Sequence, residues 1–108
     1  MNVYTIMTGL VIGGDHFFST MNVMDASKVG ETLSGFTEKT EGKIDVLFNN
    51  AGVAEVDPFE KTPLRQHIAM LGVNIQGVLN CTYSAFPYLK HSDGAAVINI
   101  VNALIYAA

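Results

Sequence analysis

The sequence predicts an α/β fold in which short parallel strands alternate with helices, in the order strand, helix, strand, helix, strand. Three observations carry this. Ile44 to Phe48 (IDVLF) is a nearly all-apolar run without alternation, the pattern of a parallel strand covered on both faces, and Ala96 to Val101 (AVINIV) is a further short apolar strand. Between them, apolar residues recur at helical spacing. Each connection is long enough to bring the chain back parallel to itself, and such crossovers are overwhelmingly right-handed.

Composition bounds the reading. The 108 residues are read as one unit, 1–108, a size at which about two thirds of the unfolded surface can be buried. Apolar residues make up 49% of the chain and charged residues 15%, against about a quarter charged in a typical soluble domain. Disorder is thereby excluded, and a chain covered on most sides is expected. Ten acidic residues stand against six scattered basic ones, so no nucleic-acid surface is expected, since that needs clustered cations. The single cysteine, Cys81, excludes an internal disulfide and a cysteine-rich metal site. His16, His67 and His91 lie far apart, and no metal is expected. Residues 66–89 contain no Asp, Glu, Lys or Arg, but Gln66, His67, Asn74, Gln76 and Asn80 interrupt them. A membrane span would suffer heavily from those groups, so a buried helix is expected. The opening lacks the positive start of a signal peptide, which points to a cytoplasmic protein.

The elements follow in order. Residues 1–12 form an unassigned lead-in. After the turn signal Gly13-Gly14-Asp15, His16 to Val23 (HFFSTMNV) reads as a strand. Asp25 caps a helix whose apolar stripe is Val29, Leu33 and Phe36, with Gly42 as its stop. The strand Ile44 to Phe48 runs into a turn of small polar residues, Asn49-Asn50-Ala51-Gly52, and Asp57-Pro58 extends the loop. Thr62 and Pro63 read as cap and first position of a helix. Leu64, Ile68, Leu71, Ile75, Val78, Leu79, Phe86 and Leu89 carry it to about Lys90, with a kink near Asn74. Ser92-Asp93-Gly94 turns the chain into the last strand. Ligands of such sheets gather outside the carboxyl ends of the strands. Asn22, Asn49 to Gly52, and Asn102 all fall there. Asn80-Cys81-Thr82 fits a glycosylation pattern, but on a helix expected to be buried.

Four segments in this order carry a family resemblance. Asp45-Val46-Leu47-Phe48-Asn49-Asn50-Ala51-Gly52 resembles the N-N-A-G strand end of the classical short-chain dehydrogenase/reductase (SDR) family. Val73-Asn74-Ile75-Gln76-Gly77 resembles its V-N-x-x-G segment. Val97-Ile98-Asn99-Ile100 resembles the strand leading to its catalytic serine, and Asn22-Val23-Met24-Asp25 resembles the end of its third strand. The resemblance spans about residues 13 to 102. It implies the central part of a Rossmann-like, doubly wound parallel sheet of order 3-2-1-4-5-6, with the three recognisable strands as its third, fourth and fifth.

The resemblance also implies a function: hydride transfer between NAD or NADP and a small-molecule alcohol or ketone. Asn22 and Val23 would flank the adenine. Asn50, Ala51 and Gly52, with Asn49 beside them, would lie along the ribose. Asn74 would hold a water in a proton relay. Helix 62–90 would pair subunits into a homo-oligomer.

The sequence departs from the family pattern in several places. Asn22 stands where the family usually has Asp, and Asn102 stands at the position of the catalytic serine, where its amide would polarise the substrate carbonyl. No Y-x-x-x-K pair occurs within the 108 residues, and Tyr106 lies too close to Asn102 to serve. Thr8-Gly9-Leu10-Val11-Ile12-Gly13-Gly14 mimics a phosphate loop, but Asp15 stands where its last glycine belongs and only seven residues separate Gly14 from Asn22. These residues alone are therefore expected not to turn over substrate, as an excerpt or truncated product of a larger domain. The rival reading is a non-catalytic interaction module that associates through helix 62–90.

Overall fold

A computed structural model describes residues 4–8, 17–54 and 57–100. Two strands, Tyr4–Thr8 (β1) and Phe17–Met21 (β2), form an antiparallel pair in which Tyr4 faces Met21 and Thr8 faces Phe17. Helix α1 spans Ala26–Thr37. Strands β3 (Val46–Asn49) and β4 (Ala96–Asn99) run parallel, with Val46 opposite Ala96 and Asn49 opposite Asn99. Between them lie a 3-10 turn at Phe59–Lys61, α2 (Leu64–Leu71), a single widened π turn at Gly72–Gln76 and α3 (Gly77–Leu89). The expected α/β class, the parallel pair and the crossover through the long helix are all present.

The lead-in departs from expectation. Tyr4–Thr8 is a strand, and it occupies the edge of β2. The family order separates the third strand from the fourth, and β2 indeed makes no ladder with β3 or β4: the described residues form two two-stranded sheets. The motif-like run from Gly9 onward, His16, Asn102 and Tyr106 lie outside the described residues.

Local chemistry explains the helix bounds. Asp25 accepts the Lys28 amide through Oδ1 at 3.1 Å, the expected N-cap. Helix α1 ends at Thr37, five residues before Gly42, because successive turns carry the chain through Glu41 and Gly42, both at positive φ (56° and 75°). The Gly42 amide still reaches back to the Thr37 carbonyl at 2.9 Å. Thr62 does not cap α2. It is buried, and its hydroxyl donates to the Pro58 carbonyl at 3.2 Å, closing the preceding turn. Pro87 sits inside α3, where its missing N–H leaves the Tyr83 carbonyl without a helical donor. Tyr83 itself is 85% exposed, so the proline sits on the solvent side of the helix.

The core lies between the helices and one face of β3; every residue of β4, Ala96–Asn99, is exposed, against the expectation of a chain covered on most sides. Val29 and Leu33 from α1 meet Val73, Cys81, Ala85 and Leu89, with Met21, Val23, Ile44 and Leu47 closing the cluster and Phe36 at its margin. The strand pattern differs from the expectation of cover on both faces. Leu47 and Asn49 are buried, whereas Val46 and Phe48 are about half exposed (54% and 51%). The helices pack on one side only, and no described residue covers the other.

Candidate functional site at the strand ends

The carboxyl ends of β2 and β3 are drawn to one stretch of helix, residues 72–80. On the first side, the turn after β2 is built by Asn22, whose Oδ1 accepts the Met24 amide at 3.0 Å and whose carbonyl accepts the Asp25 amide at 3.0 Å. Such Asx turns are what asparagine does well at a strand end. Val23 is buried against α3, and its carbonyl accepts a hydrogen bond from Asn80 Nδ2 at 2.8 Å. Two glycines make room for this approach. A Cβ on Gly77 would stand 2.6 Å from Val23 Cγ2, and one on Gly72 would stand 2.5 Å from Met24 Cε.

On the second side, Asn74 clasps the turn after β3. Its Nδ2 donates to the Val53 carbonyl at 2.9 Å, and its Oδ1 accepts the Val53 amide at 2.8 Å. Asparagine is a poor residue inside a helix. Here the π turn places it, with the Gly77 amide reaching the Gly72 carbonyl. Such bulges recur at functional sites because they re-aim one side chain without ending the helix. The kink expected near Asn74 is this widened turn.

At the tip of β3, Asn49 is buried and its Nδ2 donates to Asn99 Oδ1 at 2.8 Å and to Thr82 Oγ1 at 3.1 Å. It ties both parallel strands to α3 at their carboxyl ends. Asn50, by contrast, is exposed, and among the described residues its amide has no partner. Ala51, Gly52 and Val53 follow, half-buried. The turn therefore presents one unengaged amide, able to donate and accept, on a backbone with little side-chain bulk. That donor set suits the hydroxyls of a sugar.

Asn80, Thr82 and Asn99 were not singled out as site residues by sequence reasoning. The signal for Asn80 was a second amide placed mid-helix, six residues after Asn74. Cys81 beside it is buried, and burial raises its thiol to a pKa of about 11, so it is core and not a nucleophile. His67 faces the Phe59 carbonyl at 3.4 Å and His91 the Gly42 carbonyl at 3.3 Å. No described helix is long and apolar enough to cross a membrane.

Comparison with known proteins bears on this arrangement. A family model described as short chain dehydrogenase matches residues 5–104. The peroxisomal multifunctional enzyme type 2 of Drosophila melanogaster is 33% identical over 95 residues, which are 87% of this chain and 15% of that protein. The 3-oxoacyl-[acyl-carrier-protein] reductase FabG of Thermotoga maritima is 30% identical over 80 residues, 74% of this chain and 32% of that one. The chain thus spans about a third or less of the length of these curated relatives. Among solved structures, the ligand-free aldohexose dehydrogenase of Thermoplasma acidophilum superposes with a TM-score of 0.66 at 25% identity, covering 73% of this chain and 31% of that one. ElxO with NADP bound superposes with a TM-score of 0.65 at 29% identity, covering 73% and 32%.

Proposed function

This chain belongs to the short-chain dehydrogenase family, and from that premise we propose that its strand ends hold a nicotinamide dinucleotide, NAD or NADP, for hydride exchange with a small-molecule alcohol or ketone. The observation that supports the reading most is the convergence of the β2 and β3 ends on helix residues 72–80, through Asn80 to Val23 and through Asn74 to Val53. ElxO, similar over most of this chain, binds NADP.

The residues divide the work. Asn22 and Val23 flank the adenine. The unengaged amide of Asn50 reads ribose hydroxyls, and Ala51 and Gly52 let backbone come close to the sugar. Asn49 holds the strand tips in place beneath them. Asn74, its side chain engaged with Val53, holds the water of a proton relay. Asn102 supplies an amide donor toward the substrate carbonyl. The dinucleotide, when bound, supplies the hydride. These 108 residues hold the cofactor but do not turn over substrate by themselves, because no Tyr-x-x-x-Lys pair is among them to donate the proton. The setting is cytoplasmic.

The test is titration of the purified chain with NADH and NADPH, followed by nicotinamide fluorescence. Saturable binding, weakened by Asn50→Ala, supports the reading. Absence of binding of both overturns it, and ketone reduction by the purified chain overturns the part concerning turnover.

One observation favours a second reading, an interaction module. Leu64, Ile68, Leu71, Ile75, Leu79, Tyr83 and Phe86 are all more than half exposed along one stripe of α2 and α3. A continuous exposed apolar stripe marks a contact surface, and an uncharged one meets a copy of itself across a two-fold axis without repulsion. The partner on this reading is a second copy, and sedimentation reads it directly: a dimer blind to NADH favours the module, and a monomer that binds NADH removes it.

A further inference from the structure

Nothing in the strand ladders fixes the two halves of the site relative to each other, since β2 shares no hydrogen-bonded pairing with β3 or β4. Their registration falls to the helix. Asn74 holds the 51–53 turn, and Asn80, six residues on, holds the 22–24 turn. We propose that Asn80 is a positioning residue for the adenosine end of the cofactor site, acting through the Val23 carbonyl that it holds at 2.8 Å. This rests on the dinucleotide reading above and assigns a role to a residue that touches no substrate.

The surroundings are built for this bond. Asn80 is half-buried, which strengthens its amide–carbonyl bond by excluding water. Val23 is 2% exposed, so its carbonyl, without Asn80, has little access to solvent as a substitute. Gly77, one turn before Asn80, sets the depth at which Val23 sits, because any side chain there collides with Val23 Cγ2. The Asn22 amide is turned back on the Met24 N–H, so the turn keeps its own shape and moves as a unit. Removing the Asn80 amide therefore loosens the turn at the Val23 carbonyl, while Met21, Val23 and Val29 keep it packed on α3, and leaves the Asn50 turn, held by Asn74, where it was.

The consequence is selective. Loss of the Asn80 donor weakens ligands that carry adenosine and spares those that carry only the nicotinamide ribose. The experiment measures dissociation constants of the full chain and of Asn80→Asp and Asn80→Leu for three probes: NADH, ADP-ribose and reduced nicotinamide mononucleotide. The expected result is about a five- to tenfold weakening of NADH and ADP-ribose, the scale of one lost hydrogen bond, with the mononucleotide within about twofold of the parent. Gly77→Ala, which displaces Val23 from the other direction, gives the same pattern and serves if Asn80→Leu fails to fold. Equal weakening of all three probes, or none, overturns the positioning role while leaving the dinucleotide reading intact. A parent chain that binds none of the three overturns the dinucleotide reading and this inference with it.

Discussion

Asn74 grips Val53 by both ends of its amide, donating to the Val53 carbonyl at 2.9 Å and accepting the Val53 N–H at 2.8 Å. The pair joins residues 21 positions apart, and it makes a helix residue the anchor of a loop.

Asn74→Ala is expected to destabilise the chain by about 1–3 kcal/mol, the cost of leaving two backbone groups without their partner. Urea denaturation measures this. Asn74→Asp retains the acceptor for the Val53 amide and loses the donor to its carbonyl, so it should fall between the parent and alanine at neutral pH. A variant as stable as the parent would show that the clasp contributes nothing.

Asn49 and Asn99 should couple energetically. Asn99→Leu leaves the buried Asn49 amide with Thr82 alone, and Asn49→Leu leaves the exposed Asn99 amide to solvent, whereas the double change removes both members. A double-mutant cycle is expected to give a coupling of about 1 kcal/mol, with Thr82 the remaining partner of Asn49. Additive losses would count against a shared bond.

Cys81 gives a pH signature. Burial raises its pKa from 9.0 to about 11. The folded state therefore holds the thiol proton more tightly than the unfolded chain. The associated stability is fully present below about pH 9 and is lost as pH rises toward 11. A shift of this size corresponds to roughly 2–3 kcal/mol. The difference in stability between the parent and Cys81→Ala should narrow over that window, and the native thiol should resist alkylation at neutral pH until urea is added. Prompt labelling of the native chain would contradict the burial.

Two glycines should answer oppositely to alanine. Gly35 lies in α1, where an added Cβ would meet nothing within 4 Å, so Gly35→Ala should raise the melting temperature, by the helix preference of about 0.5–1 kcal/mol. Gly77→Ala should lower it, by about 1–3 kcal/mol, because Val23 must move. Melting curves of the pair decide both.

Much of this was legible in residue order. Asp25 announced its helix, the helical spacing from Leu64 to Leu89 announced the long one, though Ile68, Leu71, Ile75 and Leu79 are exposed where a buried helix was expected, and the apolar runs announced β3 and β4. Asn50, Ala51 and Gly52 stood out because small and amide residues at a strand end are rarely there for packing. The first strand was not legible, because Tyr4–Thr8 is a five-residue run leading into glycines that mimic a phosphate loop, and its assignment depends on pairing with β2. Asn80 and Asn99 were missed for a related reason: what they do is set by partners 57 and 50 residues away, and no local pattern records that. The cover on β3 was overestimated because an apolar run reports what a face prefers, and Val46 and Phe48 stay exposed where no described element packs on them.

The 50-residue interval between Asn49 and Asn99 also sets an order of events during synthesis. β3 leaves the ribosome long before its sheet neighbour exists, and closing so wide a loop is slow compared with forming a helix. In the interim the helix made between them is the surface that shelters Leu47, so the parallel pair assembles last, on a template already laid down. Its freshly made edge is meanwhile open to the strand of another nascent chain, and crowding on a polysome is the condition under which that mispairing would first be seen.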